Sequence, residues 1–136
     1  MLRLTALVLA LAACDSAVPP STAPLSVNGL TLTTDRAEYD RGDAATLTLR
    51  STGDAVWTGV LECAVLERET GGAWTDDLAH NERGCIAIAL RVRPGESLSA
   101  AVGLDVPAGT YRFVHRVGPA GRGDAERLAT GPFRVR

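Results

Sequence analysis

From Leu30 onward, apolar residues recur at every second position. Leu30 and Leu32 alternate with Thr31 and Thr33, and Leu47 and Leu49 with Thr46, Thr48 and Arg50. Ile86, Ile88 and Leu90 are separated by Ala87 and Ala89. The pattern continues through Val102 and Leu104, Tyr111, Phe113 and Val117, and Phe133 and Val135. A period of two sends successive side chains to opposite faces of an extended strand. Turn-forming clusters separate the runs: Asp40-Arg41-Gly42-Asp43, Ser51-Thr52-Gly53-Asp54, Gly71-Gly72, Arg93-Pro94-Gly95 and Pro107-Ala108-Gly109. Short strands with a turn every ten residues or so, and no run of helical period, predict an all-β antiparallel sandwich. Candidate segments lie near 30–34, 45–50, 55–58, 60–68, 73–76, 85–92, 97–105, 110–117 and 127–135. One of them is expected to be only a bridge, leaving seven or eight strands.

Two local features sharpen the pattern. The stretch from Glu67 to Trp74 reads as a hairpin turning on Gly71-Gly72, with Trp74 just past the turn. Pro107-Ala108-Gly109-Thr110-Tyr111 places a tyrosine at the start of a strand after a tight turn. That is the setting of a tyrosine corner, in which the hydroxyl bonds back to nearby backbone. Tyr111 and Trp74 are therefore expected to be structural residues.

The first residues follow another rule. Arg3 supplies a positive start, residues 4–11 an apolar run, and Ala12-Ala13 the small residues that a signal peptidase requires. The run is far shorter than the roughly 20 residues that span a bilayer as a helix. The tetrad Leu11-Ala12-Ala13-Cys14 resembles the bacterial lipobox. The resemblance implies a lipid on the Cys14 sulfur, cleavage before Cys14 and acylation of the new N-terminus; two or more acyl chains anchor stably where one does not. The expected organisation is a lipoprotein signal peptide over 1–13, a lipidated Cys14 with a disordered Pro/Ser-rich tether over 14–27, and one domain over 28–136. The expected location is the bacterial cell envelope, with the membrane as a partner through Cys14.

A chain of 136 residues holds one domain with one core. Its fourteen basic residues are all arginine, scattered along the chain, and the net charge is −2. Nucleic-acid binding, which needs clustered positive charge, is not expected. Arg91, Arg93, Arg112 and Arg116 read as the wet face of strands rather than as a basic strip.

In order along the chain, Tyr39-x-x-Gly42-Asp43, Leu66-Glu67-Arg68 with Gly72-x-Trp74, Pro94-Gly95, Pro107-x-Gly109-x-Tyr111-Arg112-Phe113 and the final Phe133-Arg134-Val135 resemble bacterial immunoglobulin-like domains. These domains occur in exported proteins and are similar to the group named for an intracellular bacterial proteinase inhibitor. The resemblance covers residues 30–136. It implies an immunoglobulin-like Greek-key sandwich and a binding or structural module, with proteinase inhibition as the second reading. An inhibitor needs a protruding loop, and residues 118–126 are the roomy candidate. No inhibitory residue carries over to this chain.

Cys63 and Cys85 remain as a pair in an exported domain, where thiols are oxidised. With Ile86, Ile88 and Leu90 read as the core face, Cys85 points the other way, and Leu66 places Cys63 on the opposite parity. The expected disulfide is then a clip at the rim or outer face. The alternative, two thiols and His80 around a metal, lacks CxxC spacing and a fourth ligand. Asp35, Glu38, Asp40 and Asp43 match no calcium-loop spacing, and Asp is common in turns because it bonds its own backbone. Arg41-Gly42-Asp43 and Arg122-Gly123-Asp124 spell an adhesion tripeptide in a chain rich in those residues. His80 and His115 are the only histidines, 35 positions apart. His115 falls on the Tyr111, Phe113, Val117 strand and reads as structural. Asp76-Asp77 on a strand would face opposite ways. No catalytic residue, metal or cofactor is expected, and the partner is an unidentified protein or envelope ligand.

Overall fold

The alternating leucines of the first two long runs face one another across paired strands. The computed structural model describes residues 24–82, 84–85, 88–120 and 125–136. Its strands are β1 (Leu30–Thr34), β2 (Glu38–Tyr39), β3 (Ala44–Ser51), β4 (Trp57–Gly59), β5 (Val65–Thr70), β6 (Ala73–Asp76), β7 (Leu90–Val92), β8 (Ser97–Gly103), β9 (Gly109–Pro119), β10 (Glu126–Ala129) and β11 (Phe133–Val135). A 3-10 turn (Leu61–Cys63) precedes β5, and one short helix, α1 (Leu78–Asn81), follows β6.

β1, β3 and β8 form a three-stranded antiparallel sheet, with Leu32 opposite Leu49 and Leu49 opposite Leu98. The other eight strands form the larger sheet, centred on β9. β2 leaves β1 to join this second sheet, where it runs parallel to β11 and pairs Tyr39 with Val135. The first strand is thus divided between the sheets, and later connections cross from one sheet to the other. This is an all-β sandwich with eleven strands among the described residues, where seven or eight antiparallel ones were expected; the β2–β11 pair is parallel.

Between the sheets lie Leu30, Leu32, Leu47 and Leu49 on one side and Tyr39, Leu66, Tyr111, Phe113, Phe133 and Val135 on the other. Phe133 is the hub of the aromatics, with ring centroids 5.2 Å from Tyr39, 5.4 Å from Phe113 and 6.3 Å from Tyr111. The β5–β6 hairpin turns on Gly71 (φ 61°) and Gly72 (φ 81°), a pair of left-handed residues that matches strand twist in a two-residue hairpin. The Tyr111 hydroxyl donates to the Pro107 carbonyl at 2.8 Å.

Several elements depart from the sequence pattern. The 127–135 segment is two strands, because Pro132 has no N–H for the ladder and Thr130 Oγ1 takes the Phe113 N–H at 3.0 Å instead. The 60–68 segment opens as a 3-10 turn, so strand parity does not govern Cys63. The face assigned to Ile88 and Leu90 was wrong. They are 83% and 45% exposed, and Val92 alone of that run is buried; Ile86 lies outside the described residues. Among the described residues β7 pairs with β4 alone, at the end of the sheet path. α1 is too short for a period to reveal. Asp77 caps it by accepting the His80 N–H at 3.1 Å, while Asp76 ends β6. Within the stretch read as tether, Leu25 already bridges Ala129 and Val27 bridges Leu30. Cys14 lies outside the described residues.

Candidate functional site

β9 is eleven residues long, and no single neighbour covers either of its edges. On one edge β11 pairs with Gly109 to Tyr111 and β10 with Val114 to Val117. On the other edge β5 begins at Val65 opposite Val114, and β4 pairs only from Thr58, opposite Gly118. His115, Arg116 and Val117 therefore have a strand partner on the β10 edge alone. The chain between β4 and β5 arches over this slot through the 3-10 turn, whose Leu61 is buried. A groove of about 550 Å³ remains, a size in the range of small-molecule sites.

His115 lies in the groove wall, 6% exposed, and its Nε2 has no hydrogen-bond partner. Its ring packs on Gly59. A Cβ built at Gly59 would stand 2.9 Å from Nε2 and 3.1 Å from Val117 Cγ1, so glycine is what lets β4 pass this close. Burial pushes the His115 pKa down, because the charged ring loses its water, while the Glu62 carboxylate pulls the other way. The net shift is downward and favours the neutral imidazole. Val60, Val65, Val114 and Ala89 give the groove an apolar lining.

An ion-pair cluster closes one end of the groove on the outer face of the sheet. Glu67 on β5 is 8% exposed. Its Oε2 takes Arg112 Nε and NH2, both at 2.6 Å, and its Oε1 takes Arg127 NH2 at 2.6 Å. Arg112 also lies over the half-buried Trp74 ring, 4.4 Å from its centre, so the hairpin tryptophan holds a guanidinium in place. Arg116 stands directly opposite Arg127 in the β9–β10 register and is exposed. Among the described residues Arg116 has no ion pair.

The Cys63–Cys85 disulfide is present, with Cα atoms 5.4 Å apart. It ties the arch over the groove to the segment before β7, and Cys63 lines both this groove and a smaller one of about 240 Å³ beside it. Cys63 is half-buried and Cys85 exposed, a clip at the rim. His80 lies near the cysteines in the smaller groove, its ring edge-on to Phe113 at 6.5 Å.

The remaining sequence candidates are committed to structure. Asp35 Oδ1 accepts from the Tyr39 hydroxyl and the Thr46 N–H, each at 2.7 Å. Asp43 takes the Asp40 N–H and Arg36, and Arg136 faces Glu38 and Asp40 at 3.6 Å. The first adhesion tripeptide is thus a turn, with Arg41 on Asp105 and the Asp43 carboxylate on the Asp40 N–H. The second, and residues 121–124 of the candidate inhibitory loop, lie outside the described residues. Arg91, Arg93, Arg112 and Arg116 do not gather into one strip: Arg93 pairs with Glu96, Arg112 with Glu67, and Arg91 sits on β7.

Sequence reading missed the groove, Gly59 and the Glu67 cluster. Glu67 and Arg112 both flank core positions, Leu66 on one side and Tyr111 and Phe113 on the other, which assigns them to the outer face. Only the β5–β9 register puts them opposite each other. No protein-family model and no curated protein sequence matches the chain.

Proposed function

We propose that this chain is a lipid-anchored protein of the bacterial cell envelope whose sandwich is a non-catalytic binding module, with the groove beside β9 as its ligand site. The observation that carries the reading is the slot itself. Three β9 residues have no strand partner on one edge, beside a groove of about 550 Å³. Leu11-Ala12-Ala13-Cys14 supports the anchor, and the Pro/Ser-rich stretch after it supports a tether. His115 is kept neutral and packed on Gly59, which suits a wall better than a proton shuttle.

The test has two arms. In a bacterial host fed labelled palmitate, the wild-type chain is expected to take up label and the Cys14→Ala variant none; equal labelling removes the anchor. The second arm compares envelope-derived small molecules that co-purify with wild type and with Ala89→Trp, which plugs the groove from an exposed position. A compound retained by wild type and lost from the variant supports the site. Identical profiles, or stoichiometric inhibition of a serine protease, overturn it.

A further inference from the structure

We propose that the Cys63–Cys85 bond is a site of thiol–disulfide exchange, at which a dithiol reductant attacks the Cys85 sulfur and the Cys63 thiolate leaves. The exchange site stands whether or not the groove beside β9 holds a ligand.

The two sulfurs differ in access. Cys85 is exposed, whereas Cys63 is half-buried and lines both grooves. Exchange begins when a thiolate reaches one sulfur of the bond, and access decides which. Cys85 is therefore the attacked atom and Cys63 the leaving group. Exposure also sets this bond among the disulfides that exchange readily, apart from the shielded structural ones that resist reduction.

The elements on either side of Cys85 are held without the bond. The Asn81 side chain accepts the Leu66 N–H at 2.9 Å and donates to the Leu66 carbonyl at 3.1 Å, which also takes the Asp77 N–H at 2.8 Å. α1 is thereby pinned to β5. Downstream, β7 is paired with β4, and on the arch Leu61 and Ala64 are buried on either side of Cys63. Gly84, Cys85 and Ile88, in contrast, are exposed, and none of the three hydrogen-bonds to another described residue. The disulfide is what ties Cys85 to the sandwich. Such a bond opens by a local event, with β5, α1 and the β4–β7 pair in place, rather than by unfolding. Opening takes Cys85 from the wall of the smaller groove and leaves a Cys63 thiol beside both grooves.

The first thiolate of the reductant bonds to Cys85 Sγ as the protein S–S bond breaks. The electron pair goes to Cys63 Sγ, which takes up a proton. The second thiol of the reductant, deprotonated, then displaces Cys85 from the mixed disulfide, and Cys85 is protonated in turn. Two electrons and two protons pass to the protein, and the dithiol ends as a disulfide.

The experiment uses the chain as it purifies from membranes of a bacterial host, with peptide mapping to separate Cys63 and Cys85 from Cys14. In the first arm, dithiothreitol reduces the protein at a series of urea concentrations below the unfolding transition, and the reduced fraction is read by alkylation and mass. The rate is expected to follow dithiothreitol concentration and to change less than about twofold across the series, as local opening requires. A rate that climbs with urea as steeply as unfolding does, or a bond that resists dithiothreitol until the protein unfolds, overturns the proposal. In the second arm, a brief reaction with the monothiol 2-mercaptoethanesulfonate is quenched with N-ethylmaleimide. The mixed disulfide is expected on Cys85 and the maleimide on Cys63, in about tenfold excess over the reverse. The reverse pattern, or equal adducts on the two cysteines, removes Cys85 as the point of attack and overturns the assignment.

Discussion

The Tyr111 hydroxyl has the Pro107 carbonyl as its partner at 2.8 Å, inside a residue with no exposed surface. Tyr111→Phe keeps the ring contacts and strands the carbonyl. The loss is expected to exceed the roughly 0.5–1.5 kcal/mol of an ordinary hydrogen bond and to fall within about 1–3 kcal/mol, with the fold retained; unchanged urea midpoints would place the hydroxyl in water. A different kind of residue-scale effect is expected at His115. Its folded pKa lies below the ordinary 6.5, first because burial disfavours the charged ring. The unfolded chain then takes a proton that the folded chain refuses. Stability is complete above the unfolded value, declines as pH falls from there toward the folded pKa, and levels off below it. His115→Leu is expected to flatten that part of a urea-midpoint profile; an unchanged slope would show the ring titrates alike in both states. Tyr111 was legible because the turn before it and its own place in the strand are local signals. The packing of His115 on Gly59 was not, since it depends on where β4 and β5 pair along β9.

At the scale of elements, the disulfide has a mechanical role that neither cysteine reveals alone. It joins the arch after β4 to the approach of β7 and closes a 22-residue loop. Restricting the unfolded chain in this way is worth about 3 kcal/mol. Cys63→Ala with Cys85→Ala is expected to cost that much in urea unfolding and also to loosen the groove, seen as faster amide exchange across residues 59–65. A double variant as stable and as protected as wild type would make the clip incidental. The pairing was readable from an even cysteine count once Cys14 was assigned to the lipid. The faces were not: Ile88 and Leu90 keep perfect alternation yet lie exposed. Alternation reports which side chains share a face, and burial further requires a second layer to cover it. Likewise Thr130, Gly131 and Pro132 interrupt what reads as one strand, and the interruption hands Phe113 N–H to a side chain.

At the scale of the whole molecule, the described chain opens with a segment that precedes β1. Leu25 N–H donates to Ala129 at 3.1 Å, Val27 and Leu30 exchange bonds of 3.0 and 2.8 Å, and Asn28 reaches Glu126 at 3.0 Å. Residues 24–28 thus form a strap along the free edge of β10, with Val27 packed on the core. Three backbone bonds at about 1 kcal/mol each and a partly buried valine at about 1 kcal/mol give a gross gain of about 4 kcal/mol. Ordering the backbone of five residues costs about 5 kcal/mol or more. The two nearly cancel, so the strap is expected to be a marginal attachment and not part of the cooperative core. A domain beginning at Gly29 is expected to match one beginning at Pro24 within about 1 kcal/mol in urea. Its Leu30 amide, which donates to Val27 in the longer chain, is expected to lose protection from exchange. A fall of several kcal/mol in the shorter chain would instead make the strap a structural strand. The balance bears on the proposed anchoring through Cys14. The ten residues to Pro24 reach about 35 Å at full extension, and peeling the strap adds about 15 Å. Under that proposal, a load on the anchor would peel the strap before it strained the sandwich.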